Sequence, residues 1–156
     1  MARSLPGGGV YLLHLHLERP QEISTGALGR LEFAPGVYLY AGSASRGLPH
    51  RLRRHFAAEK SLRWHIDYLS AHPAVAVRGA WVWDAGRGLE ECALNAIAGG
   101  LPGASTPVAG FGASDCQAGC PAHLWHLPGM AMVRLPPGGY WVPSGSPLLA
   151  AEGDLD

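Results

Sequence analysis

Two short phrases, Gly9-Val10-Tyr11 and Tyr40-Ala41-Gly42, each set a tyrosine on an apolar run with a glycine two residues away. The runs that carry them have a β signature. Residues 13–17 alternate as Leu-His-Leu-His-Leu, the period of a half-buried strand, and residues 37–41 are apolar, aromatic or β-branched throughout, as a central strand requires. Pro20 stops the first strand and Gly42 the second. A pair of tyrosine-bearing core strands therefore heads the chain, and everything downstream has to pack on it.

Between these strands, residues 21–29 are rich in turn formers, and Leu31-Glu32-Phe33 reads as a short strand able to pair with the one that follows the Pro35-Gly36 turn. After Gly42, Leu48, Leu52 and Phe56 recur at i, i+4 and i+8, a helix stripe starting near Pro49, with Arg51 and His55 sharing a face one step away. A second helix is expected over residues 61–71, with Ser61 as N-cap, Leu62, His65, Ile66 and Leu69 inward, and Pro73 as its stop. Residues 75–83 read as a third core strand. Residues 89–98 read as a third helix closed by Gly99-Gly100, with Leu89, Ala93 and Ile97 inward and Glu91 and Asn95 on the opposite side. Past Pro128 the chain turns Pro/Gly-rich, which predicts an ordered arm or a mobile tail. The order strand, strand, helix, helix, strand, helix makes an α/β domain over residues 1–127, with residues 128–156 appended.

With 156 residues, 47% of them hydrophobic and 15% charged, one core suffices and no second domain is needed. The 12 Lys+Arg balance 12 Asp+Glu, which excludes a global field that draws nucleic acid and leaves the task to a local patch. Arg46, Arg51, Arg53, Arg54, Lys60 and Arg63 gather six of those twelve cations in one window. No apolar run approaches the roughly 20 residues of a membrane span, and no signal-like segment opens the chain, so a cytoplasmic location without a membrane partner is expected. Three cysteines, Cys92, Cys116 and Cys120, are too few and too late for a secreted disulfide framework and are expected to be reduced.

A strand-borne tyrosine pair followed by an arginine-rich helix resembles the GIY-YIG nuclease superfamily, whose core is a small, mainly antiparallel three-stranded sheet flanked by helices. Within it, the chain is most similar to a branch known as a domain of unknown function, which has an extended first hairpin. The phrases that carry this likeness are Trp64-His65-Ile66-Asp67-Tyr68-Leu69 and Gly110-Phe111-Gly112-Ala113-Ser114-Asp115-Cys116, and it covers about residues 7–127. The resemblance implies a metal-dependent endonuclease that hydrolyses a phosphodiester bond in DNA, repair- or branch-directed cutting included. Tyr11 then orients or deprotonates the attacking water, and Tyr40 bonds the phosphate or the water. Arg51 clamps phosphate oxygens, and His55 sits near the phosphate one turn later. Glu91 holds a divalent cation, Mg2+ or Mn2+, that stabilises the leaving oxygen. Arg46, Arg53, Arg54 and Arg63 are expected DNA contacts, and His65, Asp67 and Asn95 supporting residues. Ser43 stands where some members have a lysine, a departure that bears on lysine-assisted activation of Tyr11.

Each of these residues has a structural competitor. Strand tyrosines ordinarily belong to the core, exposed helix arginines are ordinarily solvated, and His65 on an inward stripe reads equally as a hydrogen-bonded core histidine. Asp67 faces the other way and is placed to accept a bond from an arginine. A non-catalytic nucleic-acid-binding module is thus the alternative to the enzyme. Cys116, Cys120 and His123 form a C-x3-C-x2-H run with Cys92 as a fourth ligand, which reads either as a zinc site, and then as a metal-dependent interaction domain, or as thiols packed around the third helix.

Overall fold

In the computed structural model, which describes residues 5–114, 116–129, 134–147 and 149, the elements follow the order β1 (Gly9–Leu17), β2 (Gln21–Ser24), β3 (Arg30–Phe33), β4 (Gly36–Ala44), α1 (Leu48–Phe56), α2 (His65–Ser70), β5 (Val75–Asp84), α3 (Glu91–Gly99), β6 (Leu124–Leu127) and β7 (Tyr140–Pro143). Strand β1 is the centre. It runs antiparallel to β4, from Gly9 opposite Ala44 to Leu17 opposite Gly36, and antiparallel to β5 on its other edge, with a bulge between His14 and Leu15. Because alternate side chains face opposite ways, the two parities of β1 feed two cores. Tyr11, Leu13, Leu15 and Leu17 pack with Leu48 and Leu52 of α1 and Ile66 and Leu69 of α2. Val10 and Leu12 join Val37, Leu39 and Ala41 of β4 under Leu94 and Ala98 of α3. The sheet is thus covered on both faces, by α1 and α2 on one side and α3 on the other.

The mixed α/β, antiparallel architecture agrees with expectation, but the sheet has five strands rather than three, in the order β6-β4-β1-β5-β7. The two extra strands are four-residue edges in segments that read as irregular: β6 pairs with Val37–Tyr40 of β4, and β7 pairs with β5 through Gly79 to Val82. Part of the expected C-terminal arm is therefore sheet, with Val142 buried. Residues 130–133, 148 and 150–156 of that arm, and Asp115 of the second phrase, lie outside the described residues. Leu31–Phe33 also departs from expectation. It pairs with β2, in a separate two-stranded sheet, because the presumed turn segment holds Ile23, which is buried with Phe33 against the first core.

Two helices are displaced from their expected frames. Helix α2 starts at His65 rather than Ser61, since Asp67 Oδ2 accepts the backbone N–H groups of Arg63 and Trp64, both at 2.9 Å, and so caps the helix there. Leu62 is left outside, 48% exposed instead of inward. Helix α3 starts at Glu91 and buries Leu94, Asn95 and Ala98, while Ala93 and Ile97 face outward. Its small, apolar sequence supports two stripes, and packing on Leu12 and Leu39 selected the one carrying Leu94. Among the described residues no helix is long and apolar enough to cross a membrane.

Candidate functional site

Strand β6 pairs with β4 only as far as Tyr40, and the ladder ends with the Ala41 amide donating to the His123 carbonyl at 3.0 Å. Beyond it the β4 edge at Gly42 and Ser43 opens into a cleft of about 800 Å³. An open edge lets side chains from both faces of the sheet meet. Tyr11, Tyr40, Arg51, His55 and Glu91, the five residues expected to carry chemistry, all line this cleft. The glycine of the second triplet has a steric reason: Gly42 sits opposite Tyr11 in the β1–β4 register, and a Cβ there would come within 2.5 Å of the Tyr11 ring. A Cβ at Gly9 would run into the Trp83 carbonyl of β5. The glycines of both triplets are therefore packing requirements.

One wall, from β1, β4 and α1, is aromatic and dry. Tyr11 Oη and His55 Nε2 share a 2.7 Å hydrogen bond, both side chains fully buried. The Tyr40 ring lies edge-on to His55 at 6.1 Å. Burial pushes the Tyr11 phenol well above its ordinary value, reinforced by Tyr40 and opposed by Arg51, and burial likewise raises Tyr40. Burial, with Lys60 nearby, brings His55 down to about 3. All three groups are neutral at pH 7. His55 Nδ1 has no hydrogen-bond partner among the described residues. At the rim, Arg51 donates to the Ser43 carbonyl at 2.8 Å and lies 5.0 Å over the Trp64 ring.

The opposite wall, from α3 and the loop leading to β6, is ionic. Glu91 accepts a 2.5 Å hydrogen bond from Ser43 Oγ on one carboxylate oxygen, and its other oxygen lies 2.9 Å from His123 Nδ1. Burial alone would raise Glu91, but His123 and Ser43 outweigh it and hold the carboxyl below its ordinary value. His123 is correspondingly raised to about 10, by Glu91 first. Asn95 is buried beneath this wall, donating to the Ala122 carbonyl at 2.7 Å and accepting from Trp125 Nε1 at 2.8 Å. It fixes the strand start that carries His123. Cys92, Cys116, Cys120 and His123 offer ligand atoms that all lie within 4.8 Å of one another, a group that could hold a metal such as zinc.

The other expected residues divide. Arg63 lines the cleft, and Arg46 is exposed on the loop before α1 and is not among the residues that line it. Arg53 is half-buried. Arg54 is committed to Asp67, a fully buried carboxylate that it meets with two hydrogen bonds of 2.7 and 2.8 Å, and it also stacks 4.4 Å over Trp64. Lys60 donates to the carbonyls of Arg54 and His55 and to Ser70 Oγ, tying the C-terminus of α1 to α2. The basic window is thus partly scaffold. His65 lines the cleft and its Nδ1 accepts the Gly112 amide at 2.9 Å, holding the loop that carries the second phrase. Three residues of the site were not assigned to it from sequence: Ser43 and Trp64, and His123 as the partner of Glu91. Trp64, 39% exposed between two arginines, was detectable only as the head of the first phrase.

A divalent cation of the kind the resemblance implies would find one carboxylate here. Glu91 is the sole carboxylate lining the cleft among the described residues, its side chain is 32% exposed, and each of its oxygens retains a lone pair. Magnesium commonly takes one or two carboxylates and completes its shell with water and phosphate oxygens.

No curated protein and no solved structure matches this chain. A family model described as a domain of unknown function, DUF123, matches residues 10–135, from the first tyrosine strand through the loop and strand that bear His123. Since that match runs from β1 through β6 and takes in the three helices and every described residue lining the cleft, the protein belongs to the DUF123 family.

Proposed function

We propose that the chain is a divalent-cation-dependent endonuclease that hydrolyses a phosphodiester bond in DNA, built on a GIY-YIG-like core to which β6, β7 and the β2–β3 hairpin are additions. The observation that carries this reading is the convergence of Tyr11, Tyr40, Arg51, His55 and Glu91 on one cleft from both faces of the sheet. Neutral hydrogen-bonding groups stand on one side of it and a carboxylate on the other. Arg51, with one N–H on Ser43, has further N–H groups for phosphate oxygens, and Arg63 adds positive charge at the mouth. Trp64, 39% exposed at the rim, is covered by the Arg51 and Arg54 guanidinium groups and holds Arg51 toward the cleft. Tyr11, kept as a phenol, holds the attacking water through its oxygen while its own proton is directed by His55, and Tyr40 positions the phosphate from the adjacent strand. Glu91 would hold the divalent cation, which when bound would supply Lewis-acid stabilisation of the leaving oxygen. Reduced cysteines accord with a cytoplasmic setting.

The test is incubation with labelled duplex, branched and single-stranded DNA, with magnesium or with chelator. Cleavage of at least one structure, lost on chelation, is expected. A second reading has one observation on its side: both Glu91 oxygens are already engaged, by Ser43 and His123, as in a nucleic-acid-binding module with an idle site. Salt-dependent DNA binding with no cutting under any divalent cation selects that module and overturns the enzyme.

A further inference from the structure

The cysteine cluster is not part of the proposed phosphodiester chemistry, yet it shares a wall with it. Cys92 follows Glu91 in the first turn of α3, and Cys116 and Cys120 lie on the loop between α3 and β6. His123 precedes β6. Cys92 Sγ stands 3.7 Å from Cys116 Sγ and 4.0 Å from His123 Nε2. Metal–ligand bonds of about 2.3 Å to sulfur and 2.0 Å to nitrogen put tetrahedral edges at about 3.8 Å between sulfurs and about 3.6 Å between sulfur and nitrogen. A disulfide needs about 2.05 Å. These two edges have the spacing of ligands around one ion, and all four ligand atoms lie within 4.8 Å of one another.

The histidine is also turned for this task. Its Nδ1 faces Glu91 Oε2 at 2.9 Å and the Ala41 carbonyl at 3.3 Å, two acceptors that place a proton on that nitrogen, and the opposite nitrogen, Nε2, looks at the sulfurs. A carboxylate holding a histidine by Nδ1 while Nε2 binds metal is the usual outer-shell arrangement of a zinc site. We propose that Cys92, Cys116, Cys120 and His123 hold one structural zinc ion, and that the ion locks the loop and, through His123, the orientation of Glu91 in the cleft. Four protein ligands close the shell, so the site is structural and takes no part in activating water. Thiolates select zinc over magnesium, and the two cations occupy different donors. Between α3 and β6 the described chain has no helix or strand: backbone bonds such as Gly110 to Pro121 and His123 to Phe111 close it on itself, Gly112 is bonded to His65, and an ion on Cys116 and Cys120 would add a tie to α3 through Cys92. The zinc site stands independently of the nuclease reading, while the consequence for Glu91 rests on it.

The experiment uses the full chain, purified under reducing conditions, with zinc and cobalt as probes and no DNA. One zinc per chain is expected by elemental analysis. Cobalt substitution should give the absorption of a tetrahedral site with sulfur-to-cobalt charge transfer, and the three thiols should resist a thiol reagent until a chelator is added. Glu91→Gln should keep the stoichiometry and weaken zinc by about 10- to 100-fold in competition with a chromophoric chelator, the scale of losing an outer-shell partner. Reduced wild-type chain that takes up no zinc, or cobalt uptake without charge-transfer bands, overturns the site. Glu91→Gln with parental zinc affinity overturns the link to the cleft. Because no step involves cleavage, a catalytically idle protein that passes these tests retains the zinc site.

Discussion

The two walls of the cleft hold titratable groups in opposite ways. On the α1 side, burial forces Tyr11, Tyr40 and His55 to their neutral forms, and packing against Leu48 and Leu52 keeps them in place. On the α3 side, hydrogen bonds from Ser43 and His123 hold Glu91 charged against its partial burial, and it sits in solvent's reach. Environments that push neighbouring groups apart in this way divide a site into a side that handles protons and a side that handles charge. In the nuclease reading, the dry wall manages the attacking water and the ionic wall the leaving oxygen.

The largest effect that can break this division is on cleavage itself. Arg51→Ala and Glu91→Gln should each lower the rate by about 10³-fold, the scale of removing a group that stabilises transition-state charge, with the fold unchanged because neither side chain is in a core. Glu90→Gln, one residue outside the helix, is the control. Equal rates for Glu91→Gln and its parent would remove the charged wall from the chemistry.

Next comes the pillar under the dry wall. Asp67→Asn leaves Arg54 without its buried counter-charge and should lower stability by about 3 kcal/mol in urea denaturation. A loss within the range of an exposed pair, about 0–1 kcal/mol, would mean that α2 is held by its apolar face alone. Tyr11→Phe preserves the ring and removes only the hydroxyl, so it should slow cleavage by about 10²-fold while leaving DNA affinity intact. A parental rate would make the phenol purely a packing group.

The pH dependence of stability reads the dry wall directly. His55 titrates at about 3 in the folded chain against an ordinary 6.5, so across that window the unfolded chain binds the extra proton, and stability falls as pH drops from about 6.5. Asp67, held below its ordinary value, adds a loss that begins only as pH falls through the carboxylate range. Urea midpoints from pH 7 to 4 should therefore fall more steeply for the parent than for His55→Gln, and matching slopes would contradict a buried neutral imidazole. The smallest effect concerns the rim. Neutralising Arg46 and Arg63 together should flatten the salt dependence of DNA binding by about one to two units. Arg54 is a poor choice for this experiment, because it is tied to Asp67 and its loss would be felt in stability.

Much of the dry wall was legible from spacing alone. The Leu-His alternation announced β1, the Leu48 and Leu52 stripe announced α1, and Arg51 and His55 followed at their helical offsets because periodicity within one element is a local property. Of the ionic wall, Glu91 was named through the family resemblance, and its partners were not identified as such. Glu91, Ser43 and His123 come from three separate segments, and α3 presented two apolar stripes between which only contact with Leu12 and Leu39 could choose.

Strands β6 and β7 were hidden for a related reason. Four residues with little alternation, set among prolines and glycines, have no strand signal of their own and become strands only because β4 and β5 offer unpaired edges. Asp67 was expected to meet an arginine, but nothing local told that the carboxylate would be fully buried and that the arginine would be Arg54. What the sequence by itself determined were the elements whose pattern repeats along the chain, the tyrosine strands and the arginine helix, together with the residue types of the site. Tertiary structure alone decided which edge stayed open to form the cleft, which charges became scaffold, and which histidine would face Glu91, because those outcomes depend on segments far apart in sequence meeting in a packed interior.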